Sequence, residues 1–303
     1  MSAARIVVVG DLLLDVDLWG PSQRAAPDGG NPIVDVTSES ARAGGAGLVA
    51  TLLRADGHEV RLVTAMGADA SADRLRALIG DLDLIAAPSG APTPVKTRLR
   101  AGDTTVARID TGCAAPPPPT VTADQLAALE DADAIVVADY GRGMTADAGI
   151  RSALAARVEQ LPIVWDPHPR GTAPVRGVAI ATPNRSEATG FTGTADVVRA
   201  ARALLDEWEP QAVAITLGAD GVLLHDESAH RLPTRAVDVA DGCGAGDRFA
   251  SALAAALATG APVKAAVGRA MEATGEFLAA GGVSALRSPS PQPDPNTSRK
   301  ERL

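Results

Sequence analysis

Asp238-Val-Ala-Asp-Gly-Cys-Gly-Ala-Gly-Asp247 places glycines at 242, 244 and 246 and closes on a carboxylate. Arg248-Phe-Ala-Ser-Ala-Leu-Ala-Ala-Ala-Leu257 follows at once, a run of small residues with helical character. The two stretches predict a glycine loop opening into a helix over 248–259. Backbone N–H groups at a helix start have no partner within the helix and carry partial positive charge. Glycine lets that backbone come against an anion. A carboxylate beside such amides suits a reaction that builds negative charge next to it. Transfer of a phosphoryl group to a hydroxyl is one such reaction: the aspartate takes the proton and the amides hold the migrating group. Asp238 and Asp241 add two carboxylates ahead of the loop.

Working outward, Arg5-Ile-Val-Val-Val-Gly10 is a continuous apolar run ending in glycine, the pattern of a buried parallel strand. Similar runs at 60–65, 134–138, 162–165, 178–181 and 212–217 predict further strands. Helical patterns lie between them at 45–56, 70–80, 123–131, 146–160 and 195–208, with 263–280 after the loop helix. Strands alternating with helices imply an α/β protein, a doubly wound and mostly parallel sheet with helices on both faces. Two regions break the rhythm. Pro32–Glu39 alternates like a half-exposed strand, and Val95–Arg100 with Thr105–Asp110 reads as a hairpin. These predict a small antiparallel β lid, with lid segments at about 16–39 and 95–110. A lid keeps a reactive phosphoryl donor from water. The expected organisation is one domain over 1–287. Residues 288–303 mix Pro, Ser, Asn and charge without periodicity and read as a disordered tail.

Bulk composition narrows the class. The 303 residues are 46% hydrophobic but only 2% aromatic, so the core must be built from Ala, Val and Leu. A net charge of −9 argues against nucleic-acid binding, which needs a positive surface. The N-terminus is too short and uncharged for a signal peptide, and no apolar run approaches the ~20 residues that cross a bilayer. The expectation is a cytoplasmic protein without a membrane partner. Two cysteines make no disulfide framework, and the four histidines lack metal-ligand spacing.

These motifs resemble the ribokinase-like (PfkB) carbohydrate kinase family. Asp241-Gly-Cys-Gly-Ala-Gly-Asp247 is the strongest match. Gly44-Gly45-Ala46, Thr182-Pro-Asn-Arg-Ser-Glu187 and Thr216-Leu-Gly-Ala-Asp-Gly221 follow the family's order over residues 5–285. Within it the chain looks most like the kinase domain of D-glycero-D-manno-heptose-7-phosphate kinases. Gly10-Asp-Leu-Leu-Leu-Asp15, Trp19–Arg24, Thr97–Arg100, Arg108–Asp110, Asp139-Tyr-Gly-Arg-Gly143 and Asp166-Pro-His168 carry that likeness.

The resemblance implies an ATP-dependent kinase whose acceptor is a phosphorylated sugar, most specifically a heptose 7-phosphate converted to the 1,7-bisphosphate. It makes Asp247 the base and the amides of Gly244, Ala245 and Gly246 the anion hole. It assigns Thr216, Gly218, Gly221, Asn184 and Met271 to the nucleotide. Asn184 and Glu187 would hold Mg²⁺ through water, as suits a hard cation that keeps its hydration. Asp15, with a turn at Gly44 and Gly45, would hold sugar hydroxyls. Arg98, Arg100, Arg108, Arg142 and His168 are candidates for the substrate phosphate. Arginine's paired donors suit that group, and Arg98 and Arg100 share one face of a strand. The lid implies a possible homodimer. A kinase of the same fold for another sugar, sugar phosphate or nucleoside, and a non-catalytic regulator that binds sugar phosphates, are the alternatives.

Three positions depart from the family pattern. Leu48 stands where a sugar-binding asparagine is usual, Gly242 where the loop has threonine, and Met271 where a late asparagine sits near the nucleotide. Heptose-7-phosphate kinases are often fused to a nucleotidyltransferase domain. The polar ending of this chain implies that any such activity belongs to a separate protein.

Overall fold

Ile6 and Val8 pack into one hydrophobic cluster and Val7 and Val9 into another. That alternation along Arg5–Gly10 shows a strand covered on both faces, the reason its sequence is apolar without interruption. The computed structural model describes residues 3–102, 104–114, 116–234 and 242–286. Asp238, Asp241 and the tail 288–303 lie outside the described residues.

The main sheet runs in the order Ala229–Leu232, Val222–His225, Val213–Thr216, Ile180–Ala181, Ile163–Asp166, Ala134–Ala138, Arg5–Gly10, Glu59–Met66, Asp83–Pro88. From Val213–Thr216 onward every neighbour is parallel. Val222–His225 and Ala229–Leu232 close one edge as an antiparallel hairpin. Ala46–Ala55, Ala70–Ile79, Ala245–Ala258 and Val263–Ala279 cover one face with the larger cluster. Ala123–Ala127, Ala148–Ala155 and Val197–Trp208 lie against the other. The fold is a doubly wound α/β sheet, and its core is aliphatic, with Trp165 its largest fully buried side chain.

A second sheet of four strands forms the lid, in the order Ser38–Gly45, Leu12–Trp19, Val95–Ala101, Thr104–Thr111. The hairpin expected at 95–110 is present, with an irregular register between Leu99 and Arg100. The first lid segment differs from expectation. Pro32–Ile33 forms only a two-residue ribbon with Arg24–Ala25, and the long lid strands are Leu12–Trp19 and Ser38–Gly45. Leu12–Trp19 reads as a further core run because its residues through Val16 are buried. Gly44 and Gly45 therefore end a strand rather than form a turn.

Several helices are shorter than their sequence patterns. The one expected at 123–131 stops at Ala127, where Leu129 and Glu130 tighten into i→i+3 bonds to Leu126 and Ala127. The one expected at 146–160 spans Ala148–Ala155, capped by the Asp147 side chain on the Ile150 N–H at 2.9 Å. The helix expected at 248–259 begins three residues early, at Ala245, so Asp247 sits inside its first turn. Its residues Phe249 through Leu257 are buried throughout, as in a helix apolar on all sides.

Candidate active site

The carboxyl ends of the parallel strands deliver the polar residues, as expected where an open α/β sheet changes direction. Asp11 follows Arg5–Gly10, Asp139 and Tyr140 follow Ala134–Ala138, Asp166 ends its strand, and Asn184 bridges to Thr216. Two buried aspartates then fix the loop between them. Asp11 accepts from the backbone N–H groups of Tyr140, Arg142 and Met144 at 3.0, 2.8 and 3.2 Å. Asp139 accepts from the N–H of Gly141, the Thr145 hydroxyl and the N–H of Thr172 at 2.7, 2.8 and 3.1 Å. Burial drives the Asp11 carboxyl up to about 6, against the pull of those N–H groups.

Asp247 is buried, and its Oδ1 accepts the Tyr140 hydroxyl proton at 2.6 Å. Burial raises its carboxyl to about 6, while the Tyr140 bond and the Lys96 charge pull it down. The Tyr140 hydroxyl is pushed well above its ordinary value, first by burial and then by Asp247. Gly244 precedes the helix in a left-handed conformation at φ 80°, and a Cβ there would strike Val283 Cγ1 at 2.6 Å. The Ala245 N–H is already turned onto the Gly242 carbonyl at 3.2 Å, which commits one of the three amides expected in the anion hole.

A cavity of about 540 Å³ opens beside this loop, lined by Thr216, Gly218, Gly221, Gly246, Phe249 and Met271 among others. Of the residues that the sequence assigns to a nucleotide, Thr216, Gly218, Gly221 and Met271 line it and Asn184 does not. Asn184 and Glu187 cap the helix Arg185–Thr192 reciprocally. Asn184 Oδ1 accepts from the Glu187 N–H at 3.0 Å, and Glu187 Oε2 accepts from the Asn184 N–H at 2.8 Å. Asp166, held by the Thr182 hydroxyl at 3.0 Å, has its carboxyl pushed well up by burial and then by the charges of Asp247 and Glu187. Among the described residues no three acidic, histidine or cysteine side chains converge closely enough to grip a metal directly. The charges of Asp247 and Glu187 set against Asp166 are ones that a cation held there would relieve.

The lid supplies an ion ladder. Asp15 and Asp17 share one face of Leu12–Trp19. Arg98 donates to Asp15 at 3.0 Å, Arg100 Nε to Asp17 at 3.0 Å, and Arg42 to Asp17. A Cβ on Gly44 would land on the Asp15 carboxylate and Leu13, so a side chain there would push them aside. Arg98 also donates to Cys243 Sγ at 3.3 Å, joining the lid to the glycine loop.

The five phosphate candidates do not form one group. Arg98 and Arg100 sit on buried carboxylates, and Arg108 is exposed and paired with Asp110. Arg142 donates to the carbonyls of Pro92 and Ala114, a structural anchor rather than an open donor. The His168 imidazole is lowered to about 4 by burial and the nearby charges of Arg170 and Lys96, so it stays neutral. Sequence reasoning passed over Tyr140, Lys96 and Asp166. Tyr140 and Asp166 fall within quoted motifs, but nothing in their spacing marks a role.

Leu48 sits in a small apolar cluster. It is buried with Leu52 and Val283 and packs against Cys243 and Phe277.

Sheet order, lid and site together define a ribokinase-like architecture. The solved structures agree. A putative ribokinase from Agrobacterium tumefaciens superposes with a TM-score of 0.72 at 22% identity, covering 93% of each chain. Arabidopsis thaliana ribokinase complexed with ribose and ATP gives 0.70 at 19% identity over 94% and 96%. The profile of the pfkB family carbohydrate kinases matches residues 3–288, and the chain belongs to that family, whose members draw on ATP. The "Bifunctional protein HldE" of Streptomyces coelicolor is 44% identical over 291 residues, 93% of this chain, and that of Rhodospirillum rubrum is 35% identical over 303 residues. The chain spans 61% of the length of each of these relatives. No helix among the described residues is long and apolar enough to cross a membrane.

Proposed function

We propose that the protein transfers the γ-phosphoryl group of ATP to a hydroxyl of a phosphorylated sugar, most specifically the carbon-1 hydroxyl of a heptose 7-phosphate. The observation that carries this reading is the buried Tyr140–Asp247 pair, next in the chain to Gly246, which lines the glycine-loop cavity, and near enough to Asp15 for its charge to act on Asp247. Tyr140 occupies Oδ1, leaving Oδ2 of Asp247 to accept the proton of the attacking hydroxyl. Asp15 orients the acceptor's hydroxyls. The helix start at Gly246 offers backbone dipole to the charge that develops on the transferred group. Asn184, Glu187 and Asp166 would hold a hydrated Mg²⁺, which supplies charge neutralisation at the nucleotide phosphates when bound. The heptose acceptor rests on the sequence likeness to heptose-7-phosphate kinases and on the similarity to proteins named HldE. The edge strand Thr104–Thr111, with Ile109 exposed, offers the lid surface for a homodimer, and the cytoplasm would supply the ATP.

A panel of sugars, sugar phosphates and nucleosides, scored by ADP release from MgATP, tests the reading. The expected result is release with heptose 7-phosphate well above that with any unphosphorylated sugar. Equal release with unphosphorylated acceptors overturns the substrate class, and none with any acceptor overturns the kinase.

A further inference from the structure

We propose that Lys96 and Arg170, grouped around the His168 ring, hold the phosphate that the acceptor sugar already carries. This rests on the acceptor being a phosphorylated sugar and moves its anchor away from the lid arginines. Arg98, Arg100 and Arg108 each face a carboxylate, which already offsets the charge that would attract a phosphate. Among the described residues, neither Lys96 nor Arg170 has an acidic side chain within 4.0 Å. In a chain with 37 acidic against 28 basic residues, two cations beside one histidine and without a close acidic partner stand out.

The geometry puts these groups one tyrosine ring from the base. Lys96 Nζ lies 5.1 Å from the centre of the Tyr140 ring, and the His168 ring stacks on the same tyrosine at 6.2 Å. Both lie over the ring, and its hydroxyl is the group bonded to Asp247. A sugar laid along Tyr140 would thus meet the base at the hydroxyl and the cations beside the ring. Arg170 is tied to His168 by its own backbone N–H, which donates to Nδ1 at 3.1 Å. A neutral imidazole accepting at Nδ1 carries its proton on Nε2 and so presents a donor without needing charge. Arg170's guanidinium donates to the Cys113 carbonyl at 3.3 Å and keeps further donors for a ligand. Gly141 lets Arg170 and His168 come close: a Cβ there would meet Arg170 Cβ at 2.7 Å and His168 Nδ1 at 3.0 Å. Burial lowers both His168 and Arg142; the charges of Arg170 and Lys96 add to the effect at His168, and that of Arg170 adds a smaller one at Arg142. A dianionic phosphate monoester would relieve that repulsion, and Arg170 and Lys96 offer the donor types that recognise it.

Calorimetric titration of the full chain with D-glycero-D-manno-heptose 7-phosphate, with the same heptose lacking its phosphate, and with a non-hydrolysable MgATP analogue tests the assignment. Arg170→Ala and Lys96→Ala should each weaken the phosphorylated sugar about 10-fold or more, the loss of one charged hydrogen bond. The unphosphorylated heptose and the nucleotide analogue should bind each variant within about 2-fold of wild type. Arg170 is exposed, so its variant should keep its fold, and unchanged nucleotide binding checks that directly. Equal weakening of both sugars, weakening of the nucleotide instead, an unchanged affinity, or no binding of the phosphorylated sugar to wild type would each overturn the site. ADP release measured alongside separates the two claims. A phosphate-dependent loss in the variants without turnover by wild type leaves the site standing and removes the kinase reading.

Discussion

The Tyr140 hydroxyl donates to Oδ1 of Asp247 at 2.6 Å, and the tyrosine is itself held by its backbone N–H on buried Asp11. One carboxylate oxygen is therefore committed and the other is left for the acceptor. The bond also stabilises the ionised form of a carboxyl that burial otherwise raises to about 6. A base must be ionised to work, so kcat/KM should rise with pH through about 6 and then level. Tyr140→Phe removes the bond and leaves the burial. Its acidic limb should move up by about one pH unit, the scale of a lost hydrogen bond to a charge. A pH profile of kcat/KM reads the shift, and a limb that stays in place would detach Tyr140 from the base.

Asp247 also bears on stability, with a definite sign. Its folded value lies above the ordinary 3.8, so the folded state holds the proton more tightly than the unfolded chain. The contribution of this group therefore falls as pH rises from 3.8 to about 6 and stays unfavourable above that. Asp247→Asn removes the charge and still accepts from Tyr140. It should lower turnover by about 100- to 10,000-fold, the usual range for a lost general base. It should also gain up to about 3 kcal/mol over wild type at pH 8 and almost nothing below pH 4. Thermal unfolding of both proteins across pH, alongside nucleotide binding, checks this. A variant no more stable than wild type at pH 8 would contradict the buried charge.

Gly44 exists for Asp15. A side chain at 44 would run into the Asp15 carboxylate and Leu13, displacing the lid's buried Asp15–Arg98 pair. Gly44→Ala should raise the acceptor KM about 10-fold or more and the ATP KM by less, since only the Arg98–Cys243 bond carries the disturbance toward the glycine loop. Equal increases in both would mean that the whole lid is disturbed rather than its sugar contact.

The sheet was legible because Ile6–Val9 are apolar without interruption, a pattern that only a strand covered on both faces needs. The glycine loop was legible because backbone approach to an anion requires residues without side chains. The lid's first half was not. Leu12–Trp19 carries core-like leucines and, two positions apart, the aspartates of an ion ladder, and its partners Arg42, Arg98 and Arg100 come from distant strands. No local period encodes such a pairing. The same holds for Tyr140, which reaches Asp247 across 107 positions. The partners of the arginines were hidden as well. Residue type made Arg98, Arg100 and Arg142 phosphate candidates, and strand face grouped the first two, but the carboxylates and carbonyls they meet come from elsewhere in the chain.

Leu48 remains the departure of greatest consequence for the acceptor. It fills a small apolar cluster with Leu52 and Val283 under Gly244, where a Cβ would come within 3.1 Å of its Cδ2. It thereby supports the turn from which the Asp247 helix starts. If its work is packing, restoring the family's asparagine should not restore a sugar contact. Leu48→Asn should instead bury an amide among aliphatic side chains and destabilise the fold by about 1–3 kcal/mol. Gly244 would lose its backing, so kcat should fall while the acceptor KM stays unchanged or rises. Denaturant unfolding and steady-state kinetics on the variant decide the matter. An acceptor KM that drops would show that position 48 faces the sugar after all, and that the leucine narrows what the enzyme accepts.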